Sequence, residues 1–423
     1  MKNNKFTRFA FLGVASLLLT SCFGNKGGGG NGGYNFIYNI DGPNKVKIQT
    51  ANFGGGIGNL WLEKAADRFA HEMENYTFSS GKKGVYIDTS FTSFELGTDS
   101  AANMLKSTRS IFFDERMSDP ADLSQGGALL DLNEIVMDTS REGGSLDSIL
   151  FDSIKNGLKH EISEGVEHYF ALPHYEYYGG LSYNREIFDK YGAYFIDDDL
   201  SVGPGFVYTG KTINGIGGSF LGPDYTIEDG YVLTCGPNGV AGDDDDGLPR
   251  TLDEFIVLMD YLKFRGVQPI ALSGQYNRYL DYLVAGLWSS LAGAEKMKNY
   301  YNCTGQLEVV KLDSSGKAKL TQEPLFTGIA DILKPETEIV TMASDGSQGY
   351  YGNLMIEKYE AMALCEVINK YGFFTDNSSV GTNSHYDAQG DLFLYGAGDD
   401  SYNPGAMLIE GSYWYNETEE MAG

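Results

Sequence analysis

The chain has 423 residues, of which 42% are hydrophobic and 13% aromatic, and this is enough apolar material for about two to three globular domains. Acidic residues (58) outnumber Lys and Arg (31), so the formal net charge is -27, and no basic cluster occurs along the sequence. A nucleic acid, which is bound through clustered Lys and Arg, is therefore excluded as a partner, and the composition favours a neutral ligand.

The first 33 residues predict export. Lys2, Lys5 and Arg8 precede an apolar run at 9–19, which is too short to span a bilayer and ends shortly before Cys22. This pattern is typical of a secretory signal peptide at 1–21. The residues before Cys22 resemble a bacterial lipobox, which implies a lipidated Cys22, a Gly-rich tether at 22–33 and an extracytoplasmic protein anchored to the cell membrane by its lipid. An ordinary cleaved signal peptide is the alternative.

Residues 45–165 read as an N-terminal α/β lobe. The segment 45–53 predicts a strand, the spacing of Leu60, Trp61, Ala65 and Phe69 predicts an amphipathic helix, and 84–88 predicts a second strand. A strand, a helix and a strand in this order indicate a βαβ unit with a parallel sheet. The glycines before the helix imitate a dinucleotide-binding fingerprint, but Asn59 stands where its last glycine belongs, so a nucleotide site is not expected.

Residues 166–423 read as a C-terminal α/β lobe with an insertion at 194–247, a stretch rich in Gly, Asp and Tyr that predicts loops or a hairpin. Thr251 and Glu254 have the spacing of a capping box, so a helix is expected to start there and to end at Gly266. The next segment, 267–272, predicts a buried strand, and 278–291 and 350–371 predict two more helices.

Five segments follow one another along the chain in the order of a known family: GALLDL (127–132), LSYNREIFDKYG (181–192), LPRTLDEF (248–255), GVQPIAL (266–272) and AMLIEGSYW (406–414). In sequence and in order they resemble the extracellular solute-binding proteins of ABC sugar importers, family 1, which include maltose-binding protein. The resemblance covers about 45–415 and leaves 194–247 unexplained.

This resemblance implies an α/β, two-lobed, periplasmic-binding-protein-like fold of type II that closes on a sugar between its lobes. It also implies a function: the protein would capture an oligosaccharide and deliver it to the permease subunits of an ABC transporter, with no catalysis. In the family the chain continues well past the strand that 406–414 matches, so the fold is expected to be incomplete at the C-terminus.

Sugar recognition uses flat aromatic faces together with fixed donors and acceptors, and the tyrosine-rich segment 174–178 fits this need. The resemblance extends the candidate set to four other segments. For Tyr279 and Trp288, which fall on a predicted helix, we expect burial in its apolar face instead. The candidate ligand-binding residues are Phe112, Phe113, Glu115, Arg116, Tyr175, Glu176, Tyr178, Gln275, Tyr276, Asn277, Tyr413 and Trp414.

Four consecutive acidic residues, Asp243, Asp244, Asp245 and Asp246, form a weak candidate for a structural Ca²⁺ site, with Asn238 and Asp253 as further ligands. The register of an EF-hand loop fails, so a solvated acidic loop is the simpler interpretation. No other cofactor is expected. The cysteines after Cys22 are Cys235, Cys303 and Cys365; their spacing indicates no zinc site and leaves one disulfide open.

Two other functions stay open. The motif that starts at His71 resembles a zinc-protease helix but ends in Asn75, and His168 and His174 have no third ligand in sequence, so a catalytic zinc is not expected. A secreted glycoside hydrolase is an alternative, since its two carboxylates need to be close in space and not in sequence. A surface glycan-binding adhesin is another, and it predicts one rigid module.

Overall fold

The computed structural model describes residues 34–53, 57–93, 98–107, 109–113, 120–140, 143–163, 165–175, 179–197, 202–274, 278–343, 347–374, 384–393 and 404–414. The chain is a mixed α/β protein that divides into two compact units, unit 1 (Met1–Tyr177 with Tyr413–Gly423) and unit 2 (Tyr178–Ser412). Within the described residues there are several small sheets and ten α-helices.

Unit 1 contains the expected βαβ unit. Strand β1 (Val46–Phe53) pairs in parallel with β2 (Val85–Asp88), and helix α1 (Leu60–Glu72) connects them. Strands β3 (Thr92–Ser93) and β4 (Ile111–Phe113) also pair in parallel with β1. The prediction of a parallel sheet in this part of the chain is therefore confirmed.

Helix α1 buries the predicted face only in part. Ala65 is buried as expected, but Leu60 is 52% exposed, and Leu62 and Ala66 are also buried. Asp67 is buried as well: its Oδ1 accepts hydrogen bonds from the backbone N–H groups of residues 37, 38 and 39. These amide donors hold the pKa of Asp67 below its usual range despite the burial, and they fasten the segment before β1 to the helix.

The rest of unit 1 is built around a hairpin of β5 (Lys159–Ser163) and β6 (Val166–Tyr169). Tyr169 lies in a small core with Val136 and Leu146, and its hydroxyl donates to Asp147 at 2.5 Å. The remaining helices of this unit are α2 (Thr98–Ser107), α3 (Pro120–Gln125), α4 (Asn133–Val136) and α5 (Asp152–Leu158), with a 3₁₀ turn at Asp147–Ile149.

Unit 2 has a central three-stranded sheet in which β15 (Gly405–Gly411) lies between β10 (Gln268–Ala271), parallel to it, and β7 (Gly179–Tyr183), antiparallel to it. Helix α7 (Leu252–Phe264) starts as the sequence predicts, since the Thr251 side chain accepts from the Glu254 N–H. The Glu254 carboxylate accepts in turn from the backbone N–H of Arg250 at 2.6 Å, and the Arg250 and Thr251 backbone groups help to hold the pKa of Glu254 below its usual range.

The segment predicted as an insertion contains a hairpin, β8 (Phe206–Tyr208) and β9 (Gly218–Phe220), which packs on α7. Phe220 stacks on Tyr261 with ring centroids 4.1 Å apart, and both rings are fully buried. The Tyr208 hydroxyl donates to the buried carboxylate of Asp260 at 2.6 Å. This hairpin is therefore part of the main core of unit 2.

Element α8 (Arg278–Asn302) consists of two helical segments separated by the non-helical residue Gly293 (φ 72°), so the first segment ends close to residue 291, as predicted. Trp288 is buried in a second apolar core of unit 2, as expected for a helix face. The other elements are α6 (Arg185–Tyr191), β11 (Gln306–Val310), β12 (Leu320–Phe326), β13 (Ile329–Pro335), β14 (Thr337–Thr341), α9 (Ile356–Lys370) and α10 (His385–Phe393), with 3₁₀ turns at Ile227–Asp229 and Gly349–Leu354.

None of the helices in the described part of the chain combines the length and the hydrophobicity that a transmembrane helix needs.

Candidate functional site

Four ring side chains of unit 1 meet where strands β1 and β4 end. Trp61 lies in the first turn of α1 and Phe113 is the last residue of β4, while His174 and Tyr175 follow the β5–β6 hairpin. The Trp61 and His174 rings stack at 5.3 Å between centroids, and Phe113 meets the Trp61 ring edge-on at 5.0 Å. His174 also contacts Phe113 at 5.4 Å and Tyr175 at 4.7 Å. We call these four residues the ring cluster.

The position of the ring cluster follows from the strand order. Phe113 pairs with Asn52 in the register of β4 on β1, so it lies at the carboxyl end of β1, and α1 starts at the same edge. Ligands of open parallel sheets bind outside the carboxyl ends of the strands, because chain connections leave a crevice there. All four rings are partly exposed, so an aromatic surface is available at this edge.

Ring clusters of this kind offer flat apolar faces, which suit the CH-rich face of a sugar or another flat ligand. Trp61 adds a polar group, since its indole Nε1 is buried and has no hydrogen-bond partner among the described residues. A buried N–H donor without a partner is costly, and a ligand acceptor would satisfy it.

A polar network adjoins the rings through the first turn of α1. Asn52 is fully buried, and its Nδ2 donates to the Asn59 Oδ1 at 3.0 Å and to the carbonyl of Gly58 at 3.2 Å. Asn59 Nδ2 in turn donates to Glu63 Oε1 at 3.1 Å. The Asn52 Oδ1 has no partner among the described residues. Amide and carboxylate groups therefore stand beside the aromatic faces at the same sheet edge.

Asn59 and Glu63 also line a surface cavity of about 310 Å³ at the end of β2. Its other lining residues include Asp88 and Ser90. The Ser90 hydroxyl and amide donate to Asp88, and the Arg109 guanidinium lies 3.3 Å from the carboxylate; together they hold the pKa of Asp88 below its usual range. Asp88 is therefore an ionised acceptor at neutral pH and not a proton donor.

The structure brings together two of the predicted ligand-binding residues, Phe113 and Tyr175, in the ring cluster. Phe112 precedes Phe113 on β4 and so points to the opposite face of the sheet. Tyr413 and Trp414 belong to unit 1, where Tyr413 is partly exposed and Trp414 is only 3% exposed. Outside the described residues lie Glu115, Arg116, Glu176, Tyr178, Gln275, Tyr276, Asn277 and the lipidation candidate Cys22.

Trp61 and His174 are the two residues of the ring cluster that the sequence analysis did not select as ligand-binding. The helical spacing of Trp61 assigned it to the buried face of α1, and His174 was considered only as the start of a tyrosine-rich segment and as a zinc ligand that lacks a third partner. A usable signal was present, because Trp61 is the second residue of a helix that follows a predicted parallel strand, and such positions face the carboxyl edge of the sheet.

The acidic loop of unit 2 groups three of its four aspartates. Ligand oxygens of Asp243, Asp245 and Asp246 lie within 4.8 Å of one another, whereas Asp244 is exposed and lies 3.9 Å from Arg185. Asp253 bonds to Thr327 in another part of the unit. A hydrogen bond between the two carboxyl groups lowers the pKa of Asp243 and raises that of Asp245. Ca²⁺ binding at these residues stays a prediction.

The three described cysteines, Cys235, Cys303 and Cys365, are free thiols. Burial raises the pKa of the Cys365 thiol to about 11, so this group is protonated and unreactive at neutral pH. No disulfide joins the described parts of the chain.

Comparison with known proteins adds no assignment: no protein-family model matches the chain, and no curated protein and no solved structure is significantly similar to it. The functional interpretation therefore depends on the residues and the geometry of the site.

Proposed function

We propose that the protein is a lipid-anchored, extracytoplasmic binding protein that captures an oligosaccharide and delivers it to an ABC transporter permease. The two-lobed fold of solute-binding proteins is part of this proposal. The observation that carries it is the ring cluster at the carboxyl edge of the sheet in unit 1, where Trp61, Phe113, His174 and Tyr175 present partly exposed faces.

The polar groups beside the rings support a carbohydrate over a purely apolar ligand. A pyranose has one CH-rich face and a rim of hydroxyls, so it needs an aromatic platform and nearby fixed acceptors and donors. Glu63 and Asn59 supply a carboxylate and an amide held by their mutual hydrogen bond, and the indole N–H of Trp61 supplies a donor. An uncharged ligand also agrees with the net charge of -27, which disfavours anions.

Binding requires no covalent chemistry in this proposal, and the protein is not an enzyme. Its attachment to the membrane would come from the lipid on Cys22 alone. Mass spectrometry of the N-terminal peptide tests this part: a diacylglycerol-modified Cys22 supports the anchor, and an unmodified mature N-terminus elsewhere contradicts it.

Titration calorimetry of the purified chain against malto-, xylo- and fructo-oligosaccharides tests the binding function. We expect saturable heat with at least one series, and we expect the W61A variant to bind it at least about tenfold more weakly, since about 1.4 kcal/mol corresponds to a tenfold change. The F151A variant is the matched control, because Phe151 is a 73% exposed ring of the same unit outside the ring cluster. Heat from none of the sugars would refute the proposal.

The same samples separate the alternatives. Release of shorter sugars during incubation would indicate a glycoside hydrolase, and stoichiometric recovery of intact sugar supports a binding protein. Small-angle scattering with saturating sugar distinguishes the adhesin: we expect the radius of gyration to decrease, whereas an unchanged radius would favour a rigid glycan-binding module.

A further inference from the structure

A pair of histidines lies on the β5–β6 hairpin of unit 1, outside the ring cluster. His160 and His168 are directly opposite each other in the antiparallel register. Directly opposite residues of an antiparallel pair project from the same face, with Cβ atoms about 4.5–5.5 Å apart. The next opposed pair, Glu161 with Glu167, projects from the other face of the hairpin. The two histidine side chains therefore project from the same face of the hairpin.

The orientation of His168 is fixed by a carboxylate. Its Nδ1 lies 2.5 Å from Asp131 Oδ2, and Asp131 is held beside β6 because the Leu132 N–H donates to the Tyr169 carbonyl at 2.8 Å. A carboxylate accepts the proton of Nδ1, so the neutral ring carries its lone pair on Nε2. The same arrangement, a carboxylate behind a histidine, orients the ligating histidines of metal sites.

His160 supplies a second nitrogen in need of a partner. Its Nε2 is buried and has no hydrogen-bond partner among the described residues. Buried polar atoms in folded proteins are almost always satisfied by protein, water or an ion, and one that is not costs free energy. A metal ion bridging the two rings would satisfy this nitrogen.

We propose that His160 and His168 chelate a divalent transition metal of the zinc, nickel or copper class through their Nε2 atoms, with Asp131 as the positioning residue and water completing the coordination. Imidazole nitrogen is a preferred ligand of these ions, whereas Ca²⁺ and Mg²⁺ require oxygen ligands. The carboxylate oxygens of Asp243, Asp245 and Asp246 would instead suit a cation such as Ca²⁺.

The test is a titration of Ni²⁺ and of Zn²⁺ into the full chain, without a histidine tag, followed by calorimetry at pH 7.5. We expect one site whose affinity falls at least about tenfold in H160Q and in H168Q, and about tenfold in D131N, the usual cost of losing an outer-shell partner. The matched control is H71A, because His71 is a 52% exposed histidine of unit 1 whose nearest charged group is Glu74. This control should bind as the wild type.

Electron paramagnetic resonance of the wild-type chain with one equivalent of Cu²⁺ is a second test of the metal site, and it needs no variant. We expect coupling to two imidazole nitrogens, and loss of one of them in H160Q. The proposal is overturned if the wild-type chain binds none of these ions, if the spectrum shows fewer than two imidazole nitrogens, or if H160Q and H168Q bind Ni²⁺ as tightly as H71A does.

Discussion

Two groups of aromatic side chains, one in each unit, have different environments, although the sequence is rich in rings throughout. In unit 2, Phe220 and Tyr261 stack face to face and are fully buried, and Tyr208 is 2% exposed. In unit 1, Trp61 and Phe113 meet edge-on and remain partly exposed at the end of parallel strands. Burial assigns the first group to stability, and exposure at the sheet edge is the basis on which we propose ligand binding for the second group.

The abundance of aromatic residues therefore does not locate the site. A ring that fills a core contributes its full apolar area to folding and has none left for a ligand. A ring at a strand end packs against only a few neighbours, so one of its faces stays available for contact with a ligand. Substitutions in the two groups should therefore change different properties. Those in the buried group should lower the free energy of unfolding, and those in the ring cluster should weaken ligand binding.

The largest expected effect is that of F220A in the core of unit 2. Removing a fully buried ring that stacks on Tyr261 at 4.1 Å leaves a cavity and should lower the free energy of unfolding by about 4 kcal/mol. Denaturant unfolding measures this change. The control is F151A, whose 73% exposed ring should leave the midpoint unchanged. Equal midpoints for F220A and the wild type would contradict the assigned core.

The next effect concerns Asp67 of unit 1, which accepts three backbone N–H groups. D67A leaves the buried N–H of Asn39 and the partly buried N–H groups of Ile37 and Tyr38 without an acceptor, and should destabilise the protein by about 3 kcal/mol at pH 7. Chemical denaturation of the wild type and the variant provides the comparison.

The pH dependence of Asp67 has a definite sign. Its folded-state pKa is lowered, so its contribution is complete above the unfolded pKa of about 3.9 and is lost as the pH falls further. The stability difference between wild type and D67N, which does not titrate, should be constant from pH 7 to 5 and should shrink below pH 4. A difference that grows on acidification would show that the assigned cause is wrong.

A smaller effect is expected for Y208F in unit 2. The variant keeps the ring and removes the hydroxyl that donates to the buried carboxylate of Asp260 at 2.6 Å. Loss of a hydrogen bond to a charged group should cost about 2 kcal/mol. Thermal unfolding together with denaturant titration measures this loss of stability. An unchanged stability would mean that the hydrogen bond to Asp260 does not contribute to folding.

The smallest effect on folding is expected for W61A. Because Trp61 is only partly buried, its truncation should change the free energy of unfolding by about 1 kcal/mol while weakening sugar binding at least about tenfold. The reverse pattern, a large loss of stability with unchanged affinity, would place Trp61 with the core rings and not with the ligand-binding ones.

Local features of the fold were predictable from sequence. The strand at β1, the capping threonine Thr251 and the end of α7 before Gly266 follow from side-chain pattern and backbone preference, which act over a few residues. The buried face of α1 was predictable only in part, because the burial of Asp67 depends on contacts with a segment about thirty residues away.

The candidate site was also predictable only in part, because segments distant in sequence bring its residues together. The resemblance selected Phe113 by its position, and the tyrosine-rich composition of 174–178 indicated ligand contact for Tyr175. Which rings meet, however, is decided by the pairing of β4 with β1, and this pairing joins residues about sixty positions apart. The helical spacing of Trp61 is the same for a core ring and for a ring at a strand end, so the sequence pattern alone does not distinguish the two.

Tryptophan fluorescence provides the most direct test of the central claim, that the ring cluster is the ligand-binding surface. The chain has three tryptophans; Trp288 and Trp414 are 7% and 3% exposed, and Trp61 is the partly exposed one. We predict that a bound oligosaccharide shifts the emission of the wild-type protein and that the shift disappears in W61F. An equal shift in W61F, or calorimetric binding with no change in emission, would contradict the claim.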